Sequence, residues 1–213
     1  MDEDDQGTIM ECVFCDRNQF EERLCGETKD FWIIATLGQI TDGGYTLLVP
    51  KRHVECLGAM TESEIALMVL VKDTIEIALA KEYGIGAEIV FEHGIVGQTI
   101  KHAHLHLMPA SCNISNKIVT DFLYQDLTIL PIPTAFNLLK KLYCLRKEPY
   151  LLWRDGTSLR TKVLWNPPAP LQYLRTVVAE AVGRPERANW RNMDPELDRK
   201  LWSETVKRLK PYF

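Results

Sequence analysis

The stretch KHAHLHLMP, residues 101–109, sets three of the chain's five histidines, His102, His104 and His106, at alternate positions. Successive side chains on a strand point to opposite faces. A strand here would carry the three imidazoles in a row on one face and turn Ala103, Leu105 and Leu107 toward a core on the other. Pro109 lacks a backbone donor and ends the strand. The bland account is a polar strand face in solvent, and three imidazoles within five residues argue against it. Imidazole serves as a metal ligand, a general acid or base, or a nucleophile. The row therefore reads as a site, and the rest of the chain must decide its kind.

With 213 residues the chain can bury one large domain, or one domain plus an extension. Hydrophobic residues make up 46% and charged residues 25%, an ordinary globular balance. The formal charge of −4 argues against a nucleic-acid binder. Residues 151–213 carry twelve lysines and arginines against seven acids. That mildly basic surface suits phosphates, or is simply solvated. The opening MDEDDQGT has no apolar core of a signal peptide, and no apolar run is long enough to span a bilayer. The expected location is the cytoplasm, where the six cysteines stay reduced unless a metal holds them.

Residues 1–9 are expected to be a disordered acidic tail. Phe31–Leu37, Tyr45–Val49 and Ala87–Phe91 read as strands. Between the second and third, Thr61-Glu62-Ser63-Glu64 fits a capping box, and an apolar stripe from Ile65 to Leu79 predicts a helix over 61–83, stopped by Gly84. The pattern predicts an α+β fold, an antiparallel sheet with a long helix packed on it. Further on, 111–117 (SCNISNK) reads as a loop, 134–146 as a helix, and 150–165 as a hairpin around Asp155-Gly156. Leu171–Val182 reads as a helix, and Asp194-Pro195 opens a last one. The expected division is a domain over 10–130 and a mixed, mainly helical extension over 131–213 packed on it. On the 171–182 helix, Gln172 and Arg175 lie at i, i+3 and can reach a phosphate; a surface ion pair is the plainer role for that arginine.

Cys12 and Cys15 have the spacing of half a tetrahedral zinc site. A second Cys-x-x-Cys is absent, so His53, His93 and the row are the candidate partners. A closed structural site would join Cys12, Cys15 and His53 to one end of the row. A redox dithiol and two buried free cysteines are the alternatives. The row could instead hold a catalytic metal, with Glu92 as the nearest carboxylate. However, ligands at i, i+2 and i+4 of one strand spread over roughly 13 Å.

Four motifs in sequence order resemble the histidine-triad (HIT) family: ECVFC at 11–15, GYTLLVPKRHV at 44–54, VGQT at 96–99 and the triad HAHLHLM. They span about half of the chain. The resemblance implies a HIT-like antiparallel sheet of about five strands, a homodimer, and action on the α-phosphate of a small-molecule nucleotide, with neither nucleic acid nor membrane as partner. By the same resemblance His104 would be the nucleophile, and His106 would contact the phosphate and the leaving group. His102 would join Cys12, Cys15 and His53 on a structural Zn2+. Gln98 and Thr99 match the loop that touches phosphate oxygens, and Glu92 and His93 would line the pocket. The implied chemistry is a covalent nucleotidyl-His104 intermediate, resolved by water or by another phosphate.

The chain departs from the family pattern in three places. Tyr45 stands where many members have histidine. Thr36-Leu37-Gly38 lacks an aspartate that holds ribose hydroxyls, and a common asparagine falls near Phe91. The competing readings are a metal-dependent hydrolase centred on the row, and a zinc-stabilised nucleotide-binding protein without turnover.

Overall fold

A computed structural model describes residues 12–156 and 160–213. The acidic tail expected at 1–9 lies outside the described residues, as do positions 157–159 in the expected hairpin turn.

Eight strands form one sheet: β1 (Leu24–Glu27), β2 (Phe31–Ala35), β3 (Thr46–Pro50), β4 (Ile89–Glu92), β5 (Leu105–Met108), β6 (Leu127–Pro131), β7 (Tyr150–Arg154) and β8 (Arg160–Trp165). Their spatial order is β1-β2-β3-β5-β4-β7-β8-β6, and every neighbouring pair is antiparallel. The expected count of about five is thus corrected to eight. The hairpin expected in the extension pairs along β4 and continues the same sheet. β4 would otherwise be an edge with unpaired backbone groups.

Apolar residues of both parities give the sheet two buried faces. Ile33, Leu48, Leu105, Leu107, Val90 and Leu152 face one core. The helix α1 (Glu62–Tyr83) covers it, with α3 (Ala135–Arg146) beside it. α1 begins where its sequence says: the Thr61 hydroxyl accepts from the Glu64 amide while the Glu64 carboxylate accepts from the Thr61 amide. It ends at Gly84, whose φ of 75° suits the left-handed cap. Ile34, Leu47, Phe91, Met108 and Trp153 face the second core, covered by α4 (Tyr173–Ala181) and by Phe14. His106 belongs to this second face, because it pairs across the ladders with Leu47 and Phe91.

The segment expected to be a loop at 111–117 contains the start of a short helix, α2 (Ser115–Asp121). The last helix, α5 (Pro195–Leu209), is capped by the Asp194 carboxylate, which accepts from the Leu197 amide. Among the described residues, no helix is long and apolar enough to cross a membrane.

Candidate active site

The histidine row is split in space. Regular strand pairing begins only at Leu105, yet the alternation expected for 102–106 persists in the extended approach: Ala103 joins the α1 core and the histidines face away from it. His102 sits at the N-terminal thiols. Its Nδ1 lies 3.3 Å from Cys12 Sγ and 3.6 Å from Cys15 Sγ, and Cys15 Sγ is 3.4 Å from His53 Nδ1. The four donor atoms all fall within 4.8 Å of one another. Among the described residues, this is the one grouping of three or more potential metal ligands. The row itself does not converge on a metal position.

The donor set suits zinc. Tetrahedral bonds of about 2.0–2.3 Å place ligand atoms roughly 3.3–3.8 Å apart. His102 Nε2 lies 2.8 Å from the Pro50 carbonyl oxygen. A carbonyl only accepts, so Nε2 carries the hydrogen and the Nδ1 lone pair faces both thiols. Such a backbone partner is what orients a ligating imidazole.

His104 shares Phe14 with His102: the phenyl centroid is 5.8 Å from His102 and 5.3 Å from His104. Its Nδ1 is 2.6 Å from the His102 carbonyl oxygen. Nδ1 therefore carries the proton, and Nε2 keeps a bare lone pair. Burial lowers its pKa to about 4 against the opposing hydrogen bond to the His102 carbonyl, so the ring is neutral at pH 7.

His106 is held by two contacts, the second of them backed by Arg175. Its ring stacks on Phe91 with centroids 4.2 Å apart and 11° between planes. Its Nδ1 lies 2.6 Å from Tyr45 Oη, which in turn receives a hydrogen bond from Arg175 Nη1 at 3.2 Å. The guanidinium can only donate. The phenol has no other partner among the described residues, so its own hydrogen points at His106 Nδ1. Burial raises the Tyr45 pKa to about 12, against the pull of Arg175, and keeps that hydrogen in place. His106 is then protonated on Nε2, an atom that is buried with no hydrogen-bond partner among the described residues. An orphaned donor of this kind costs about 1–3 kcal/mol unless something accepts from it.

His104 and His106 line a cleft of about 290 Å³. The loop after His93 contributes Gln98 and Thr99, and β4 leads into His93, which lines the cleft too. His93 Nε2 accepts from the Leu174 amide at 3.0 Å, tying the cleft floor to α4. Arg175 lines the cleft too, fully buried and with neutral oxygens as its partners; the surface ion pair weighed for it is absent. Glu92 is a correction. Strand alternation turns it to the opposite face, where it accepts from the Leu57 amide at 2.7 Å and from Tyr150 Oη at 2.6 Å. Burial there raises its pKa to about 8.

Sequence reasoning missed Phe14, Arg23, Trp190 and Arg191 as cleft residues. Four of the five tryptophans, Trp153, Trp165, Trp190 and Trp202, fall in the last third of the chain, a sign of packing there but not of a cleft wall. The α4 roof is anchored by Gln172, whose amide donates to the Gly97 carbonyl at 2.9 Å.

A family model for the HIT domain matches residues 17–112. An uncharacterized HIT-like protein of Methanocaldococcus jannaschii is 32% identical over 102 residues, 46% of this chain and 78% of that protein. Two solved structures are similar. One is a hypothetical histidine triad nucleotide-binding protein of Sulfolobus tokodaii, with 25% identity, a TM-score of 0.42, and 46% of this chain and 68% of that one covered. The other is a Zn-bound histidine triad family protein of Mycobacterium smegmatis, with 24% identity, a TM-score of 0.43, and 65% and 96% covered. With a matching domain, a relative aligned over most of its length and the triad on a sheet face beside a four-donor cluster, the chain belongs to the HIT family.

Proposed function

We propose that this chain is a nucleotide hydrolase or nucleotidyltransferase that acts at the α-phosphate through a covalent nucleotidyl-His104 intermediate. The observation that carries the reading is the bare, neutral Nε2 of His104 beside an unpartnered N–H of His106 in one cleft. Phosphoryl transfer needs in-line placement of a nucleophile and donors for the phosphate oxygens. In this scheme Nε2 of His104 forms a bond to phosphorus, and the phosphorus–oxygen bond to the leaving group breaks, its electron pair staying on that oxygen. His106 Nε2–H donates to the oxygens that gain charge, and Gln98 and Thr99 border the same space. The His102 carbonyl stabilises the positive charge on His104 while the phosphorus–nitrogen bond exists. Water, or a phosphate oxygen of an acceptor, then attacks phosphorus. The phosphorus–nitrogen bond breaks, His104 returns to its neutral form, and the proton of an attacking water passes to solvent.

Cys12, Cys15, His53 and His102 would hold zinc, whose contribution is to pin the N-terminal segment to the sheet. The reduced thiols suit a cytoplasmic setting.

The test is His104→Ala. It should abolish release of nucleoside monophosphate from nucleotidyl substrates while leaving the fold and about one zinc per chain. If zinc leaves with the histidine, the row is a metal site. If turnover persists, the nucleophile lies elsewhere.

A further inference from the structure

The cleft carries more positive charge than the reacting phosphate requires. Its lining includes Arg23, Arg175 and Arg191 and, among the described residues, no aspartate or glutamate. Elsewhere Arg52, Arg146, Arg154, Arg184, Arg187 and Arg208 each meet a carboxylate. Among the described residues, the three cleft arginines do not. Arg23 donates to the Ala35 and Gln19 carbonyls and feels Asp198 only at longer range. Arg175, buried, donates only to uncharged oxygens. The guanidinium of Arg191 lies over the Trp190 ring at 4.3 Å, and no hydrogen bond from it is seen among the described residues. Of the three, Arg175 is buried, where positive charge without an anion is costly, while Arg23 is half-buried and Arg191 exposed at the cleft rim.

The position of these groups matters as much as their number. Thr36 and Leu37, at the end of β2, border the cleft two strands from β5, roughly 10 Å across the sheet from His106. Arg175 spans the gap, with Nη1 on Tyr45 and Nη2 on the Gly38 carbonyl at 2.8 Å. Trp190 closes over Gly38 so tightly that a Cβ there would strike both Trp190 and the Arg175 guanidinium. Gln172 Oε1, also in the lining, is buried and has no donor among the described residues. The far end of the cleft thus offers cations and an aromatic ring, and the waiting acceptor of Gln172 lies toward the Gly97 loop.

We infer that the far end of the cleft, built by Arg23, Arg175, Trp190 and Arg191, is a second anion subsite that selects nucleotides carrying a further phosphate group besides the one that reacts. This deepens the nucleotidyl-transfer reading and rests on it. The α-phosphate of a nucleotidyl group bears one negative charge, fewer than the three guanidinium groups that line the cleft. A second phosphate brings the missing charge and the acceptor oxygens that arginine forks bind well. Trp190 supplies a stacking surface for a base, and a ligand hydroxyl or amino group satisfies Gln172 Oε1. The extra phosphate can sit in the anhydride chain or on the ribose; the chemistry recognised is the same.

The experiment is calorimetric titration of the full-length His104→Asn chain, which cannot form the phosphorus–nitrogen bond, with AMP, ADP and adenosine 3′,5′-bisphosphate at fixed ionic strength. ADP or the bisphosphate should bind at least about tenfold more tightly than AMP. Preference for ADP would place the second phosphate in the chain, and preference for the bisphosphate on the ribose; either supports the subsite. The gain should shrink to about threefold or less when Arg191→Gln or Arg23→Gln is added, with the melting temperature of each variant checked. Equal affinity for all three compounds, or a gain that survives both substitutions, would overturn the inference. Either result would leave adduct formation at His104 in the parent chain untouched, so the two ideas fail separately.

Discussion

Tyr45 occupies the position where sequence pattern and geometry meet most directly. The alternation of residues 102–106 already turns His104 and His106 to one face, so the two imidazoles are legible from spacing alone. What fixes the tautomer of His106 is not, because the phenol is 61 residues away and the arginine behind it 130 residues from that phenol. Tyr45→Phe removes the hydrogen that holds Nδ1 as an acceptor, while keeping the ring that packs near Phe91. The expected outcome is a fall in kcat of about tenfold with KM changed by less than about twofold, since the lost interaction matters when charge develops on phosphate oxygens. Nitrogen-15 NMR of the imidazole should report Nε2–H in the parent and a mixture in the variant. An unchanged tautomer and unchanged kcat would remove Tyr45 from the mechanism. Glu92 shows the opposite limit of sequence reading. Its neighbour His93 reaches the cleft, and one step along the strand sends the carboxylate through the sheet to Tyr150.

At the scale of elements, β5 and α4 determine the site from below and above. β5 is legible because its two parities have different chemistry, histidine against aliphatic. Leu105 is fully buried on the α1 side, so Leu105→Ala should cost about 2–5 kcal/mol in urea unfolding. Leu70→Ala, at a position 64% exposed on α1, should change stability by less than about 0.5 kcal/mol. Similar losses from the two would mean that β5 does not pack as described. The α4 roof brings a pH dependence. His93 accepts from the Leu174 amide, and burial, then His104 and Arg175, lower its pKa to about 3 from the ordinary 6.5. An unfolded His93 binds a proton as pH drops below about 6.5, whereas the folded one resists until about pH 3. Stability from this contact is therefore full above pH 6.5 and declines as pH falls toward 3. Urea midpoints at pH 8 and pH 5 should show the decline, and His93→Gln should reduce it; equal declines in both proteins would rule His93 out as its source. The elements that escaped prediction, β1, β6 and α2, are four to seven residues long. Such segments hold too few side chains for a periodic pattern, and their conformation comes from the partners they pair with.

For the whole molecule, the decisive feature is that the later strands continue the sheet begun by the earlier ones. Sequence reading recognised the hairpin at 150–165 and could not tell which edge it would join, because register and partner are set by contacts remote in the chain. A continuous sheet predicts one cooperative unfolding transition. Trp32 on β2 and Trp153 on β7 should report the same urea midpoint when each is followed in variants that keep only that tryptophan; separate midpoints would mean that the two parts fold independently. The metal cluster predicts that Cys12→Ser lowers both zinc content and melting temperature, while His104→Ala lowers neither. A zinc-free parent of normal stability would contradict the proposed structural metal. The central claim, a nucleophile standing free of metal at position 104, is tested most directly by intact-mass and peptide analysis of the protein quenched during turnover of a nucleotidyl substrate. The account predicts one acid-labile nucleotidyl group, mapped to His104 and missing from His104→Ala. An adduct on another residue, or rapid turnover with no adduct at any time point, would contradict it.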